Sequence, residues 1–533
     1  MDEKRVQIFG NQLGYLPDDV KKIIIKNITK KEFSVYCEEE SVYTGITDGP
    51  FLNPIAGEED SIADVSAIRK PGTYTLKIEG ITEVFIFSVD EAVYEELIGK
   101  TVRFFYLQRC GCRLPKILAG DFAHESCHGS MARIYGTNQY IRANGGWHDA
   151  GDYGRYIVAA AVTVADLLLS YDANPKMFAR DFRLPETSTS MPGYLSEIKY
   201  ELEWMLRMQD MKTGKVYHKV TCENFCGFCM PEDEKEELVV SPESVTATAT
   251  FSAVMAMAME YFMPYDETFA KSCIKASIKA YDAMKGMFIP GGFHNPKGIV
   301  TGEYGDTQDI DERYWAAAQL YKATGEENYR RDFENYAVRK IYHGYGWEEV
   351  GTFGNIAYLT TQKYATDITL KDKIKQEIIA IADDLMMVSE ADPYETTLKE
   401  NEYCWGSNMY VAENGNHLCD AYNLTGDNKY LSKAKEQFHY LLGKNPTGYS
   451  YVTGFGQKTP ENPHHRPSAA VKKAMEGMLV GGPDSRLQDS AAQEYCSTKA
   501  APNCYVDNLE SYSTNEVSIY WNSALIYLMA VIM

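Results

Sequence analysis

The segment Tyr194-Leu-Ser-Glu-Ile-Lys-Tyr-Glu-Leu-Glu-Trp-Met-Leu-Arg207 indicates the fold class of this 533-residue chain. Leu195, Ile198, Leu202 and Leu206 follow one another at intervals of three or four positions. That spacing places side chains on one face of an α-helix. Similar patterns recur near residues 93–109, 154–171, 243–263, 266–284, 309–324, 328–341, 347–362, 370–391, 406–424, 428–442 and 515–531.

About twelve helices with little strand signal between them predict six helical hairpins. An inner and an outer ring of six helices, an (α/α)6 barrel, would bury each apolar stripe and gather the long loops at one end as a cleft. The first ninety residues differ, because Tyr74, Leu76 and Ile78 alternate with polar residues after the turn signal Pro71-Gly72. The sequence therefore predicts a mainly α fold, with a small β-sandwich in residues 1–90 and the barrel in residues 91–533.

The negative charge of the chain indicates which classes of partner it can bind. The formal net charge of -22 repels phosphate backbones and anionic lipids, so neither nucleic acid nor a membrane is an expected partner. The chain starts with MDEKRVQIFG and has no apolar run of about 20 residues, the length that a membrane span needs. We expect a soluble cytoplasmic protein, or an extracellular one if a leader has been removed.

Two segments carry carboxylates suited to catalysis. In Gly145-Gly-Trp-His-Asp149-Ala-Gly-Asp152-Tyr-Gly-Arg-Tyr156, two aspartates among glycines can face one small volume, although helix capping would also explain them. Glu516 opens an apolar helix, where burial would keep it protonated as a general acid; the alternative is an acidic side chain that complements the helix dipole. Asp152 and Glu516 supply the pair that glycosidic hydrolysis requires.

A Pro-rich loop lies between those segments. His464 and Arg466 within residues 450–466 offer donors for sugar hydroxyls, or they belong to a solvated basic loop. This loop and residues 505–523 resemble the two signature patterns of glycoside hydrolase family 9, and residues 146–152 resemble the aspartate motif of that family. The whole chain resembles the branch that has an N-terminal immunoglobulin-like module before an (α/α)6 barrel.

The resemblance implies inverting hydrolysis of β-1,4-glucosidic bonds by an endo-acting cellulase. It implies that Asp152 is the general base, Asp149 its partner on the attacking water, and Glu516 the acid. It also implies that His464 and Arg466 bind sugar. Inversion requires carboxyl groups about 6.5–9.5 Å apart, which we predict for this site.

The sequence is also compatible with two other functions. An exo-acting β-glucosidase or glucosaminidase on short oligosaccharides could share every catalytic residue, and a non-catalytic glycan-binding protein is the alternative from another class. The expected partner is a β-glucan or a cello-oligosaccharide, bound by a monomer without an organic cofactor. Candidate stacking platforms for glucose rings are Trp147, Trp315, Trp405 and Tyr512.

Two thiols and two imidazoles form a donor set that suits structural zinc: Cys110, Cys127, His128 and His148. Taken alone, the spacing favours free buried cysteines. The resemblance implies zinc, because the same branch has a comparable site with Cys, Cys-His and His. Such a zinc would brace the loop that carries Asp149 without contacting substrate.

An acidic segment indicates calcium. Clustered carboxylates at a helix start suit this ion, and the family has calcium at a matching place, so we expect Asp309, Asp311, Glu312 and Glu349 to bind it. Helix capping would equally explain the aspartates.

The motif Cys222-x3-Cys226-x2-Cys229 resembles the cluster loop of radical S-adenosylmethionine enzymes. Those enzymes need a β/α barrel around the loop, whereas this chain offers consecutive helices. We therefore expect no metal at these three cysteines.

Overall fold

The computed structural model describes residues 6–186 and 190–533. Its N-terminal part is a sandwich of two four-stranded antiparallel sheets, with strand orders β1-β2-β6-β5 and β4-β3-β7-β8. Tyr74, Leu76 and Ile78 are buried in its core, as their alternation predicts. The strands are β1 Gln7–Phe9, β2 Lys22–Lys26, β3 Glu32–Cys37, β4 Glu40–Ile46, β5 Asp48–Asn53, β6 Glu58–Asp64, β7 Gly72–Ile78 and β8 Val84–Val89.

Helices dominate the rest of the described chain. They are α1 Glu95–Leu107, α2 Lys116–Ala119, α3 Ile157–Ala173, α4 Pro175–Phe178, α5 Gly193–Arg207, α6 Val245–Phe262, α7 Glu267–Met284, α8 Ile310–Thr324, α9 Glu327–Arg339, α10 Gly351–Leu359, α11 Ile368–Glu390, α12 Ser407–Thr425, α13 Asn428–Leu441, α14 Arg466–Val471, α15 Ser490–Cys496, α16 Tyr512–Asn515 and α17 Ile519–Ile532. Within the described residues, twelve of them have nine residues or more, and each matches one predicted helix.

The long helices form two rings. The inner helices α17, α3, α6, α8 and α10 pack in succession, and α12 packs against α17. The outer helices α7, α9, α11 and α13 each pack against the inner helix that precedes or follows them. This arrangement is the expected (α/α)6 barrel.

Burial explains which helix enters which ring. Every residue of 519–530 in α17 is buried, whereas α9 buries only Tyr329, Phe333 and Ala337, a single stripe at a spacing of four. A helix that is apolar all round needs neighbours on all sides, and a one-sided helix faces water with its other side. No helix among residues 6–186 and 190–533 combines the length and the apolar character of a membrane span.

A small third sheet lies at the barrel end that holds the loops. Its strands are β9 Ala132–Ile134, β10 Tyr140–Ile141, β11 Arg155–Tyr156, β12 Lys219–Thr221 and β13 Val239–Val240, in the order β10-β9-β13-β12-β11. Strand β11 leads directly into α3, so this sheet fixes the end of the segment that carries the two aspartates.

Candidate active site

The aspartate segment folds as a tight loop between Trp147 and β11. The N–H of Asp149 donates to the carbonyl of Gly154 at 3.0 Å, which closes the loop. Gly151 lies where a Cβ atom would come within 2.1 Å of the carbonyl oxygen of His464. Only glycine permits this close approach, and the approach brings the aspartate loop against the loop that carries His464 and Arg466.

Asp149 is buried below the cavity surface. Its Oδ2 accepts a hydrogen bond of 2.5 Å from the Tyr304 hydroxyl, while its Oδ1 has no hydrogen-bond partner among the described residues. Burial raises the pKa of Asp149 well above its ordinary value, and the neighbouring charge of Asp152 adds to the rise. Because Oδ1 has no partner, it is available to accept a hydrogen bond from a bound molecule.

Asp152 and Glu516 have different surroundings. Oδ2 of Asp152 accepts hydrogen bonds from the Gly154 N–H at 3.1 Å and from the Tyr156 hydroxyl at 3.3 Å. Burial raises the pKa of Glu516 well above its ordinary value, the charge of Asp152 raises it further, and the Arg466 guanidinium opposes the rise. The pair thus consists of a carboxylate with two hydrogen-bond donors and a carboxyl group whose charged form is disfavoured by burial.

One cavity of about 410 Å³ contains Asp149, Asp152 and Glu516 in its lining. The structure therefore brings Glu516 to the two aspartates, from which it is separated by most of the chain. The remaining lining residues are Ala150, Tyr156, Phe225, Gly302, Glu303, Tyr304, Trp347, Glu348, Cys404, Trp405, Met409, Tyr410, Arg486, Gln488, Ser518, Tyr520 and Trp521. The separation of about 6.5–9.5 Å between the reacting carboxyl groups stays a prediction.

The four aromatic candidates divide into two pairs. Trp405, which is 40% exposed, lines the cavity, and its ring centroid lies 5.1 Å from that of Tyr512. The expectation that Trp147 and Trp315 stack against sugar is wrong, because both side chains lie inside the core. The indole N–H of Trp147 donates to Glu197 at 2.9 Å, behind the aspartate loop.

His464 and Arg466 do not form a solvated basic loop. Arg466 is buried, and its guanidinium donates from Nη1 to the Gly151 carbonyl at 2.8 Å and from Nε to the Cys226 carbonyl at 3.1 Å. The backbone of His464 pairs with that of Glu516 in a parallel bridge. Both side chains are thereby fixed beside the carboxylates.

A chain of hydrogen bonds between buried side chains connects the aspartate loop with the loop that carries His464 and Arg466. The Gln108 amide N–H groups donate to the carbonyls of His148 at 3.1 Å and Ala150 at 3.3 Å, and its Oε1 lies 3.0 Å from His465 Nε2. His465 Nδ1 in turn lies 2.8 Å from the Ser468 hydroxyl. Burial lowers the pKa of His465 to about 3, so the ring is neutral and its Nε2–H can donate to Gln108.

Sequence reasoning missed several cavity residues, among them Tyr304, Trp347 and Trp521. Tyr304 has a φ of 50°, a strained conformation for a residue with a Cβ atom, and its ring packs between Tyr156 and Trp347. Its only sequence signal is its place in Gly302-Glu-Tyr-Gly305. No periodic pattern marks such a loop residue.

The predicted metal ligands converge on one point. One ligand atom from each of Cys110, Cys127, His128 and His148 lies within 4.8 Å of the other three, and all four residues are buried. Cys110 Sγ lies 3.6 Å from His128 Nδ1, Cys127 Sγ 3.9 Å from His148 Nε2, and the two ring nitrogens 3.4 Å apart. Tetrahedral zinc bonds of ordinary length separate such ligands by roughly 3.3–3.8 Å, so the donor set fits zinc.

Neighbouring groups complete this donor set. His128 Nε2 lies 2.8 Å from Glu234 Oε2, the carboxylate partner that a metal-bound imidazole commonly has. Burial lowers the pKa of His148 to about 4, so its ring is neutral and able to bind a metal. The backbone N–H of Gly111 points at Cys127 Sγ at 3.4 Å.

The predicted calcium ligands are less well assembled. Within the described residues, their ligand atoms do not form a group of three within 4.8 Å. Asp309 Oδ2 pairs with Arg313 at 3.0 Å, and Asp311 accepts from the Val350 N–H at 2.9 Å. Both oxygens of the buried Glu312 lack a partner in the part of the chain that is described. Calcium binding here stays a prediction.

Comparison with known proteins agrees with the geometry. The model of glycosyl hydrolase family 9 matches residues 94–529, and that of the cellulase N-terminal ig-like domain matches residues 3–83. Cellodextrinase of Butyrivibrio fibrisolvens is 34% identical, over 98% of this chain and 99% of that protein. Endoglucanase D of Acetivibrio thermocellus is 35% identical, over 98% of this chain and 82% of that protein.

A crystal structure of a single mutant of a thermostable endoglucanase from Alicyclobacillus acidocaldarius superposes with a TM-score of 0.94 and 36% identity, over 99% of each chain. These similarities confirm the family and the fold that the three sequence motifs predicted. The chain belongs to glycosyl hydrolase family 9 and is a glycoside hydrolase of the cellulase type in which an immunoglobulin-like domain precedes the barrel.

Proposed function

We propose that this enzyme hydrolyses β-1,4-glucosidic bonds within β-glucan chains and inverts the anomeric configuration. The observation that carries the proposal is the meeting of Asp149, Asp152 and Glu516 in one cavity. Relatives named as an endoglucanase and a cellodextrinase support the substrate class.

Each carboxylate has a distinct role in this proposal. Glu516, whose pKa burial raises, gives its proton to the glycosidic oxygen as the bond from that oxygen to C1 breaks. A water molecule attacks C1 from the opposite face and passes a proton to Asp152. Asp149 holds that water through its free oxygen, while Tyr304 fixes the other oxygen.

Proton NMR during hydrolysis of cellotetraose tests the stereochemistry. We expect the α-anomer to accumulate first at the new reducing end. Initial release of the β-anomer would mean a retaining mechanism and would contradict the assignment of Asp152 as a general base.

The relatives leave one alternative with specific support. One relative is named a cellodextrinase, which supports exo-action on short oligosaccharides as a second candidate. Viscosity and reducing ends, measured together on carboxymethylcellulose, separate the two. An endo-acting enzyme lowers viscosity before much sugar is released, whereas an exo-acting enzyme releases sugar with little change in viscosity.

We propose that the buried cluster of Cys110, Cys127, His128 and His148 holds one structural zinc ion. The separations of the ligand atoms, the burial of all four residues and the Glu234 carboxylate on His128 support this assignment. Elemental analysis of the purified protein should find about one zinc per chain. Protein that keeps its thermal unfolding temperature after exhaustive chelation, with no zinc bound, would contradict it.

We further propose that the two domains meet near residue 90 and that the protein is a monomer in solution. Its proposed location is cytoplasmic, or extracellular after removal of a leader.

We also propose calcium near Asp309, Asp311, Glu312 and Glu349. A rise of the unfolding temperature with added calcium, absent with added magnesium, would support that site.

A further inference from the structure

The cysteine-rich segment of residues 222–230 runs beside the cavity, and its cysteines are not among the four candidate metal ligands found in the described residues. It follows strand β12, and it carries Phe225 and Phe228 between the cysteines. Among the described residues, Phe225 is part of the cavity lining. We call residues 222–230 the phenylalanine loop.

The phenylalanine loop is held in place by hydrogen bonds to its backbone carbonyls. Arg466 Nε donates to the Cys226 carbonyl at 3.1 Å, and the Tyr153 hydroxyl donates to the Cys229 carbonyl at 2.5 Å. The Val300 N–H donates to the Glu223 carbonyl at 2.9 Å. Two of these donors come from the motifs that carry the aspartates and the His-x-Arg pair, so the loop has a fixed position relative to both.

The two phenylalanine side chains are exposed despite this fixed backbone. Phe225 is 47% exposed and Phe228 is 36% exposed. The guanidinium carbon of Arg466 lies 5.4 Å from the Phe225 ring centroid and 5.9 Å from that of Phe228. The ring of Phe228 also meets the ring of His464 edge to face, with centroids 5.4 Å apart.

We propose that Phe225 and Phe228 form the apolar side of a glucose-binding subsite next to Arg466 and determine the affinity for oligosaccharides. The C–H face of a pyranose ring is apolar, and an exposed aromatic ring in a cleft offers it a flat partner. Keeping two phenylalanine rings exposed on a fixed loop costs solvation free energy, which a bound sugar would recover. This inference rests on the proposed function, because it assumes a glucan in the cavity.

The geometry also assigns a task to Arg466. Two of its donors bind the Cys226 and Gly151 carbonyls, and its guanidinium carbon lies over the two phenylalanine rings. Arg466 therefore holds the phenylalanine loop against the site in addition to any contact with sugar. In this proposal, the backbone of the cysteine motif holds the two phenylalanine side chains in place.

Steady-state kinetics of Phe225→Ala on cellotetraose and cellopentaose tests the inference. We expect KM to rise about tenfold while kcat changes by less than about threefold, since a lost stacking contact weakens binding. Phe225→Trp should keep KM within about threefold of the original. The matched control is Phe288→Ala, which removes a phenylalanine that is 81% exposed elsewhere on the surface.

Two results would overturn the inference. One is an unchanged KM in Phe225→Ala for both oligosaccharides. The other is a fall in kcat at unchanged KM, which would make the residue a support of the catalytic groups rather than a contact of the substrate. If Phe225→Ala fails to fold, Phe225→Leu keeps an apolar side chain but lacks a ring, and the same rise in KM is expected.

Calorimetric titration with cellotetraose separates this inference from the proposed function. In the Glu516→Gln background, the added Phe225→Ala substitution should weaken binding about tenfold. Hydrolysis of β-glucan by the unmodified enzyme together with unchanged binding in the double variant would contradict the subsite alone. Absence of β-glucan hydrolysis by the unmodified enzyme would contradict the proposed function, while weakened binding in the double variant would still support the subsite.

Discussion

His148 and Asp149 are adjacent in sequence and serve two different regions. The His148 N–H donates to the Gln108 carbonyl at 2.7 Å and its ring enters the metal-ligand cluster, whereas the Asp149 N–H donates to Gly154 and its carboxyl group lines the cavity. Both side chains are buried. Burial alone therefore does not separate a structural site from a catalytic one.

The two sites differ in whether their buried polar atoms have partners. In the metal-ligand cluster, the ring nitrogens and sulfurs face one another and the Glu234 carboxylate, so every ligand atom has a neighbour of suitable chemistry. In the cavity, Oδ1 of Asp149 has no partner among the described residues, and burial raises the pKa of Glu516. An unpartnered buried oxygen needs an explanation, and in the cavity a bound water molecule or substrate would supply the missing donor.

The largest expected effect is on the cavity side of this comparison. Glu516→Gln should lower kcat on cellotetraose about a thousandfold, because the amide cannot give a proton to the leaving oxygen. The unfolding temperature should stay within a few degrees. The control is Glu494→Gln on the exposed side of α15, which should leave kcat unchanged. More than about a tenth of the original kcat in Glu516→Gln would exclude this residue as the acid.

Substitutions in the metal-ligand cluster should lower the stability of the protein. Cys127→Ser should lose the bound metal and lower the free energy of unfolding by about 4 kcal/mol, since a structural metal contributes directly to folding. Metal content and chemical denaturation measure the two effects. Cys112→Ser, half-buried nearby but outside the ligand set, should retain the metal. Equal metal content in both variants would contradict the ligand assignment.

A smaller effect is expected at the outer partner of the cluster. Glu234→Gln should weaken metal affinity about 10–100-fold, because the amide orients the His128 ring less strongly than the carboxylate does. Competition with a chromogenic chelator measures the change. Glu236→Gln, on an exposed neighbour in the same segment, should have the original affinity. If both variants release metal equally, the contact between Glu234 and His128 does not contribute.

The smallest expected effect is a shift of the pH profile. As the proposed acid, Glu516 must be protonated to act, so kcat/KM should fall as the pH rises through its pKa, which burial raises and the charge of Arg466 lowers. Arg466→Gln removes that positive charge, and the alkaline limb should move to higher pH although the rate falls. Arg486→Gln, which alters another cavity arginine, should leave the limb in place. A shift to lower pH in Arg466→Gln would contradict the assignment.

Much of the fold could be predicted from local pattern. Helices such as α17 and α6 contain long apolar runs, and the outer helices have one apolar stripe, so both types are recognisable without tertiary information. The glycines around Asp149 and Asp152 and the Cys-His donor types likewise indicate chemistry by residue type and spacing. These features depend on interactions within a few residues.

Other features could not be predicted in this way. Trp147 and Trp405 look equivalent in sequence, yet the first is enclosed by the barrel and the second lines the cavity. Tyr304 reaches Asp149 across 155 positions of sequence from a loop without periodicity. Exposure and long-range contact depend on how the rings of helices close, which no local pattern contains.

The sequence by itself determined the twelve helices, the alternating strand that ends at Ile78 and the residue types for hydrolysis and metal binding, because helix and strand periodicity, turn residues and ligand chemistry act over short distances. Only the tertiary structure decided that Asp152 and Glu516 share one cavity, that His148 faces away from Asp149, and that the cysteine motif holds two exposed phenylalanines. The physical reason is that closure of the barrel buries some side chains and leaves others in a cleft, and this sets both their pKa values and their partners.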